Sequence, residues 1–231
     1  KLRPIDFIES DKQGHKMIIA YILARYEEKK RPVDWNALIE GGIFELLQKL
    51  VLTDLKSPVM YRIRADKEKY ARLNEFIFKE IQPFLAPLGD DFCERYRVYF
   101  EKSEDTLEKR ILSVASAYAS KWEFEIVERA DPHGYDNKEI KRDLLNKIEQ
   151  AYALEGVRAI ASNPSLGSFI DVCGQLRYQV RWADIHRVPK TSVLTHCFFV
   201  ATLSYLFTLE MNGLPKRCYN NFFGGLFHDL P

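Results

Sequence analysis

The chain has 231 residues, 46% apolar and 29% charged, with 34 Lys and Arg against 33 Asp and Glu. An apolar share of that size supports a substantial core, in one large domain or two ordinary ones. The even charge balance argues against a dedicated nucleic-acid binder, which carries a basic excess, but not against a small anionic substrate in a local cationic pocket.

Helical spacing dominates from the start. His15 to Glu28 reads as a helix, apolar at Met17, Ile18, Tyr21, Ile22 and Leu23. Asp34 reads as the N-cap of a second, running to about Leu52. Lys67 to Ile81 is a third, closed by Pro83, and Asp90–Phe100 and Asp105–Arg129 follow. The turn Asp131-Pro132-His133-Gly134 leads to a charged amphipathic helix, Asn137–Leu154. After a break at Asn163-Pro164 come helices over Leu166–Val180, His196–Met211 and Pro215–Leu226. Strand-like alternation is scarce, so the expected fold class is all-α.

No apolar run approaches ~18 residues, so no membrane span or membrane partner is expected. Cys93, Cys173, Cys197 and Cys218 form no Cys-x-x-Cys pair, which suits reduced thiols in a cytoplasmic protein. No signal peptide is evident. The chain opens on Lys rather than Met, so its natural N-terminus is expected to lie upstream.

The sequence repeats itself. Gly41-Gly42-Ile43-Phe44-Glu45-Leu46-Leu47 returns as Gly224-Gly225-Leu226-Phe227-His228-Asp229-Leu230. Each copy has a histidine opening an apolar segment upstream, His15 in the first and His196 in the second. The offset between copies is 181 residues at the histidine and 183 at the Gly-Gly pair. The expected organisation is therefore a duplicated helical bundle. Residues 1–154 form a degenerate first repeat, and 155–231 form the N-terminal part of a second that continues past Pro231. The helix from His196 is apolar on nearly all sides, so it needs cover from the first copy, from a second chain or from residues outside this sequence, or else it leaves a large apolar patch exposed.

His196, His228 and Asp229 bring two imidazoles and a carboxylate together, donors suited to one divalent ion such as Mn, Fe, Co, Ni, Zn or Mg. Such an ion acidifies a bound water and polarises a phosphoryl oxygen. Arg181-Trp182, then His196, then Gly-Leu-Phe-His228-Asp229-Leu-Pro resembles the HD superfamily of metal-dependent phosphohydrolases, nearest the bacterial 5′-deoxynucleotidase branch. The resemblance implies an HD-domain helical bundle with His196, His228 and Asp229 as ligands of one divalent metal, and a fourth, distal Asp beyond Pro231. It gives His228 and Asp229 the catalytic position, and Arg181 and Trp182 the phosphate and the sugar or base.

In the first copy it leaves His15, Glu45 and Asp105 as degenerate counterparts, with Leu46 unable to ligate. The implied activity is hydrolysis of a phosphate ester, foremost a nucleoside or deoxynucleoside 5′-monophosphate. The alternatives are a cyclic or polyphosphorylated nucleotide as substrate, or a non-catalytic nucleotide sensor or scaffold. The 231 residues alone, lacking the fourth ligand, are expected to be poorly active, and a homodimer is compatible with this reading. His133, in its turn, and His186, Arg187 and Lys190, in the basic connection before His196, are expected to be ordinary loop residues.

Overall fold

A computed structural model describes residues 7–52, 57–101, 104–185 and 188–230. It is all-α. The described residues form α1 (Glu9–Glu27), α2 (Trp35–Val51), α3 (Ser57–Ala65), α4 (Lys67–Leu85), α5 (Asp90–Glu101) and α6 (Leu107–Ala130). They continue with α7 (Asn137–Gln150), α8 (Glu155–Ser162), α9 (Pro164–Gln175), α10 (Val193–Glu210) and α11 (Pro215–Phe227). The one strand-like feature among them is an isolated antiparallel bridge between Val180 and Ser192.

Asp34 caps α2 as expected, accepting from the Ala37 amide at 2.9 Å. Four expectations change. Pro83 lies inside α4 rather than closing it. It sits in the last turn on an exposed face, where the carbonyl its ring leaves unbonded can meet water. The helix expected over Leu166–Val180 stops at Gln175, passes through a 3-10 turn over Leu176–Tyr178 and enters the bridge. Two short helices, α3 and α8, were not expected. Finally, α10, at 18 residues and a mean hydropathy of 1.4, is long and apolar enough to cross a membrane. The scattered Thr, Ser and Tyr that interrupt its apolar runs do not offset its Leu, Phe and Val.

In this fold α10 serves as a core helix, with Leu194, Cys197, Phe198, Ala201 and Tyr205 buried. It packs on α11 and on α1, so its cover comes from both halves of the chain. A second face stays bare among the described residues: Phe199, Leu203, Phe207 and Met211, spaced four apart, are 48–74% exposed.

The centre of the molecule is α1, flanked by α2, α6, α8, α9 and α10. Met17, Ile18, Ile19, Ala20, Leu23 and Ala24 are completely buried. One apolar cluster runs from α1 and α2 through α6 to α10 and α11, so it crosses the expected boundary at residue 154. A smaller cluster joins Phe44 of α2 to Ile77, Ile81 and Leu85 of α4 and to Phe92 and Tyr96 of α5.

Several polar residues of α1 are buried too. Gln13 donates to the Gly42 carbonyl at 2.6 Å, and His15 Nε2 meets the Ile170 carbonyl at 2.9 Å. The Lys16 ammonium pairs with Glu45. Such partners offset the cost of burying polar groups.

Three of the four repeated glycines, Gly41, Gly42 and Gly225, sit in close contacts. A Cβ at Gly225 would lie 2.8 Å from the Ala201 Cα and 2.9 Å from its nitrogen, so side-chain adjustment cannot relieve it. Gly224 faces open space. Gly225→Ala is expected to destabilise the fold by about 1–3 kcal/mol through overpacking of α11 against α10. Gly224→Ala should stabilise it by about 0.5–1 kcal/mol, because alanine suits a helix interior better. Chemical denaturation of the two variants checks this, and equal effects would contradict the packing.

Candidate metal centre

Ser192 caps α10, accepting from the Thr195 amide at 2.9 Å, which sets His196 in the first turn. At the other end of the pair, α11 finishes at Phe227, with His228 at its C-cap and Asp229 next. Because α10 and α11 pack closely around Gly225, the start of one helix meets the end of the other.

There His196 Nε2 and His228 Nε2 are 3.3 Å apart, and Asp229 Oδ2 lies 3.7 Å from the first and 3.5 Å from the second. His228 Nδ1 meets the Gly225 carbonyl at 2.6 Å. A carbonyl only accepts, so Nδ1 carries the proton and the Nε2 lone pair faces the other two groups. A circle through three atoms at these separations has a radius of about 2.0 Å, the length of a Zn–N or Zn–O bond. Asp229 Oδ2 is buried and without a hydrogen bond among the described residues, as a carboxylate oxygen reserved for a cation would be. The donor set therefore fits a divalent ion, and it is the one such group among the described residues.

Arg181 Nη1 stands 3.3 Å from the same Asp229 oxygen. The Val180–Ser192 bridge and the bond from the Arg181 amide to the Thr191 carbonyl, at 2.8 Å, anchor it there. Trp182 follows at φ 54°, a left-handed conformation that costs a non-glycine residue energy, with 59% of its surface exposed. Cys197 is fully buried, burial pushes its thiol pKa up, and it is not part of the group formed by His196, His228 and Asp229. All four cysteines are free thiols.

The expected counterparts His15, Glu45 and Asp105 do not form a second such group among the described residues. His15 is buried against Trp122, with ring centroids 5.5 Å apart, and its Nε2 is engaged by Ile170. Glu45 is held by Lys16 and by the Tyr99 hydroxyl, which donates at 2.8 Å. Asp105 is exposed and paired with Arg110 at 2.7 Å, while Thr106 rather than Asp105 caps α6. His133 and Lys190 are exposed, and His186 and Arg187 lie outside the described residues.

His15 carries a pH dependence. Burial, helped by the nearby Arg177 charge and opposed by the Ile170 hydrogen bond, lowers its pKa from 6.5 to about 4. Between those values the unfolded chain binds more protons, so stability is complete above about pH 6.5 and falls as pH drops toward 4. The loss amounts to about 3 kcal/mol. Urea denaturation at pH 7 and pH 4.5 measures it, and His15→Gln should flatten that part of the profile.

Sequence reading missed two contributors to the site. Ser192 was findable, since a serine just before an apolar helical run is an N-cap signal. Asp11 of α1, which contacts Ser192, gives no local signal. An HD-domain family model matches residues 173–231, about a quarter of the chain, and that segment contains Arg181, Trp182, His196, His228 and Asp229. No curated protein and no solved structure matches.

Proposed function

We propose that this chain is a metal-dependent phosphohydrolase acting on a nucleoside or deoxynucleoside 5′-monophosphate. The observation that carries the reading is the convergence of His196 Nε2, His228 Nε2 and Asp229 Oδ2 on one point, inside the segment that matches the HD domain. A divalent ion held there supplies Lewis acidity toward a phosphoryl oxygen and acidifies a water.

The chain's own residues do the rest. Gly225 fixes the His228 tautomer, so the ring presents a lone pair. The Arg181 guanidinium, anchored beside Asp229, is placed to hold phosphoryl oxygens and to neutralise charge as the ester bond breaks. The exposed Trp182 indole offers a face for a sugar or base.

Residues 1–154 are read as a degenerate first copy. Two features support this. His15 on α1 and the Gly-Gly pair on α2 repeat the order of His196 on α10 and the Gly-Gly pair on α11. In addition, Asp11 and Ser192, which touch each other, are 181 residues apart, the offset of the repeat.

A nucleotide panel assayed for phosphate release with Mn²⁺ or Co²⁺ tests the function. Release that EDTA stops and added metal restores is expected, strongest for a 5′-monophosphate. Metal binding without release from any phosphorylated nucleotide would replace this reading with that of a nucleotide sensor.

A further inference from the structure

The α1 helix buries a carboxylate that the chemistry above does not use. Asp11 is 3% exposed, and Ser192 and Thr195 at the start of α10 are 7% and 6% exposed. Asp11 Oδ1 accepts from the Ser192 hydroxyl and, at 2.6 Å, from the Thr195 hydroxyl. Each hydroxyl has one proton, and both are thereby committed. The Ser192 oxygen is left to accept from the Thr195 amide, which is the N-cap bond. The Thr195 oxygen is left to accept from the Ser10 hydroxyl at 2.8 Å. Asp11 thus sets the direction of every hydrogen bond in this cluster. Its charge lies in the first turn of α1 and against the cap of α10, where two helix macrodipoles favour an anion.

What the cluster holds is the metal centre's frame. His196 follows Thr195 directly, and its amide bonds the Ser192 carbonyl at 3.0 Å. Ser192 also closes the bridge to Val180, beside Arg181, and the Val193 amide bonds the Gln179 carbonyl at 2.8 Å. One carboxylate from α1 therefore fixes the start of the helix that carries His196 and the base of the loop that carries Arg181.

We infer that Asp11 is a positioning residue for the His196–His228–Asp229 centre, so that α1 helps to complete a site whose three candidate ligands lie on and beside α10 and α11. This rests on the metal-centre reading of that site. Hydrogen bonds made directly to a metal ligand are worth about 10–100-fold in metal affinity or activity, and Asp11, one residue removed from His196, should fall at the lower end of that range.

The test is a Co²⁺ titration of the whole chain, followed by visible absorption, with hydrogen exchange across residues 188–196 measured alongside. Asp11→Ala should bind Co²⁺ about tenfold or more weakly, with an altered absorption band and faster exchange in that segment. Asp11→Asn, whose amide oxygen still accepts both hydroxyl protons, should stay near wild type. A folded Asp11→Ala with wild-type affinity, band and exchange overturns the inference. Should Asp11→Ala not fold, Thr195→Val removes one donor of the same cluster and carries the same comparison. Absence of Co²⁺ binding by the wild-type chain would defeat the metal-centre reading. Exchange alone then decides the clamp, faster exchange supporting it and unchanged exchange overturning it.

Discussion

Asp229→Ala and His228→Ala should each abolish the proposed metal-dependent phosphate release, and Co²⁺ binding with it. Each change removes one of three donors placed to share an ion of about 2.0 Å bond length. The loss should exceed the ~100-fold that a supporting hydrogen bond commands. Arg181→Ala separates from these. It removes a charge beside Asp229 without removing a ligand, so release falls by about 10²–10³ while metal occupancy persists. The sharpest contrast is His15→Ala against His196→Ala at saturating metal. His15 sits in a sealed pocket against Trp122 and Ile170, so its loss should lower stability and spare turnover in the folded fraction. Equal loss of turnover in two folded variants would make the first copy catalytic and sink its reading as a relic.

The second large effect is on stability. Glu45→Ala should cost about 3–5 kcal/mol, because it strands the Lys16 ammonium in the core. Lys16 has a side-chain exposure of 1%. Burial pulls its pKa below the ordinary value and outweighs the upward pull of Glu45. Burial pushes the Glu45 carboxyl up, yet Lys16 and Tyr99 together hold it below the ordinary value. The double variant Lys16→Met with Glu45→Leu should recover most of the loss, since replacing both members of a buried pair by apolar groups is often neutral. Urea denaturation of the single and double variants decides it, and a small effect of Glu45→Ala would mean that water reaches the ammonium. Glu45, which stands after Gly-Gly-Ile-Phe at the place His228 takes after Gly-Gly-Leu-Phe, is neutralised by a cation already attached to the chain.

The candidate ligands were legible because each sits in a local signal. His228-Asp229 follows the repeated Gly-Gly-aliphatic-Phe segment, and His196 opens an apolar run. Most helices were legible for the same reason, their apolar spacing being set within a few residues. What escaped depends on distant partners. Asp11, Gln13, His15 and Lys16 look like the polar start of a surface helix, but α6, α9 and α10 close over them, and their partners lie 29–184 residues away. Likewise the stretch that becomes α10 reads as short apolar runs broken by Thr and Ser, and only its length as a formed helix reveals how apolar it is. Pro83 misled because the rule against proline inside helices weakens in an exposed last turn.

The bond between Asp11 and Ser192 spans 181 residues, which gives this helical protein a contact of unusually high order. A ribosome adding about 5–20 residues per second makes Asp11 wait roughly 9–36 s for its partner. Through that interval α1 can settle on α2 and α6, but the face destined for α10 has no cover. His228 and Asp229 emerge later still. Ion capture therefore has to wait for α11, and α1 is sealed long after it is made.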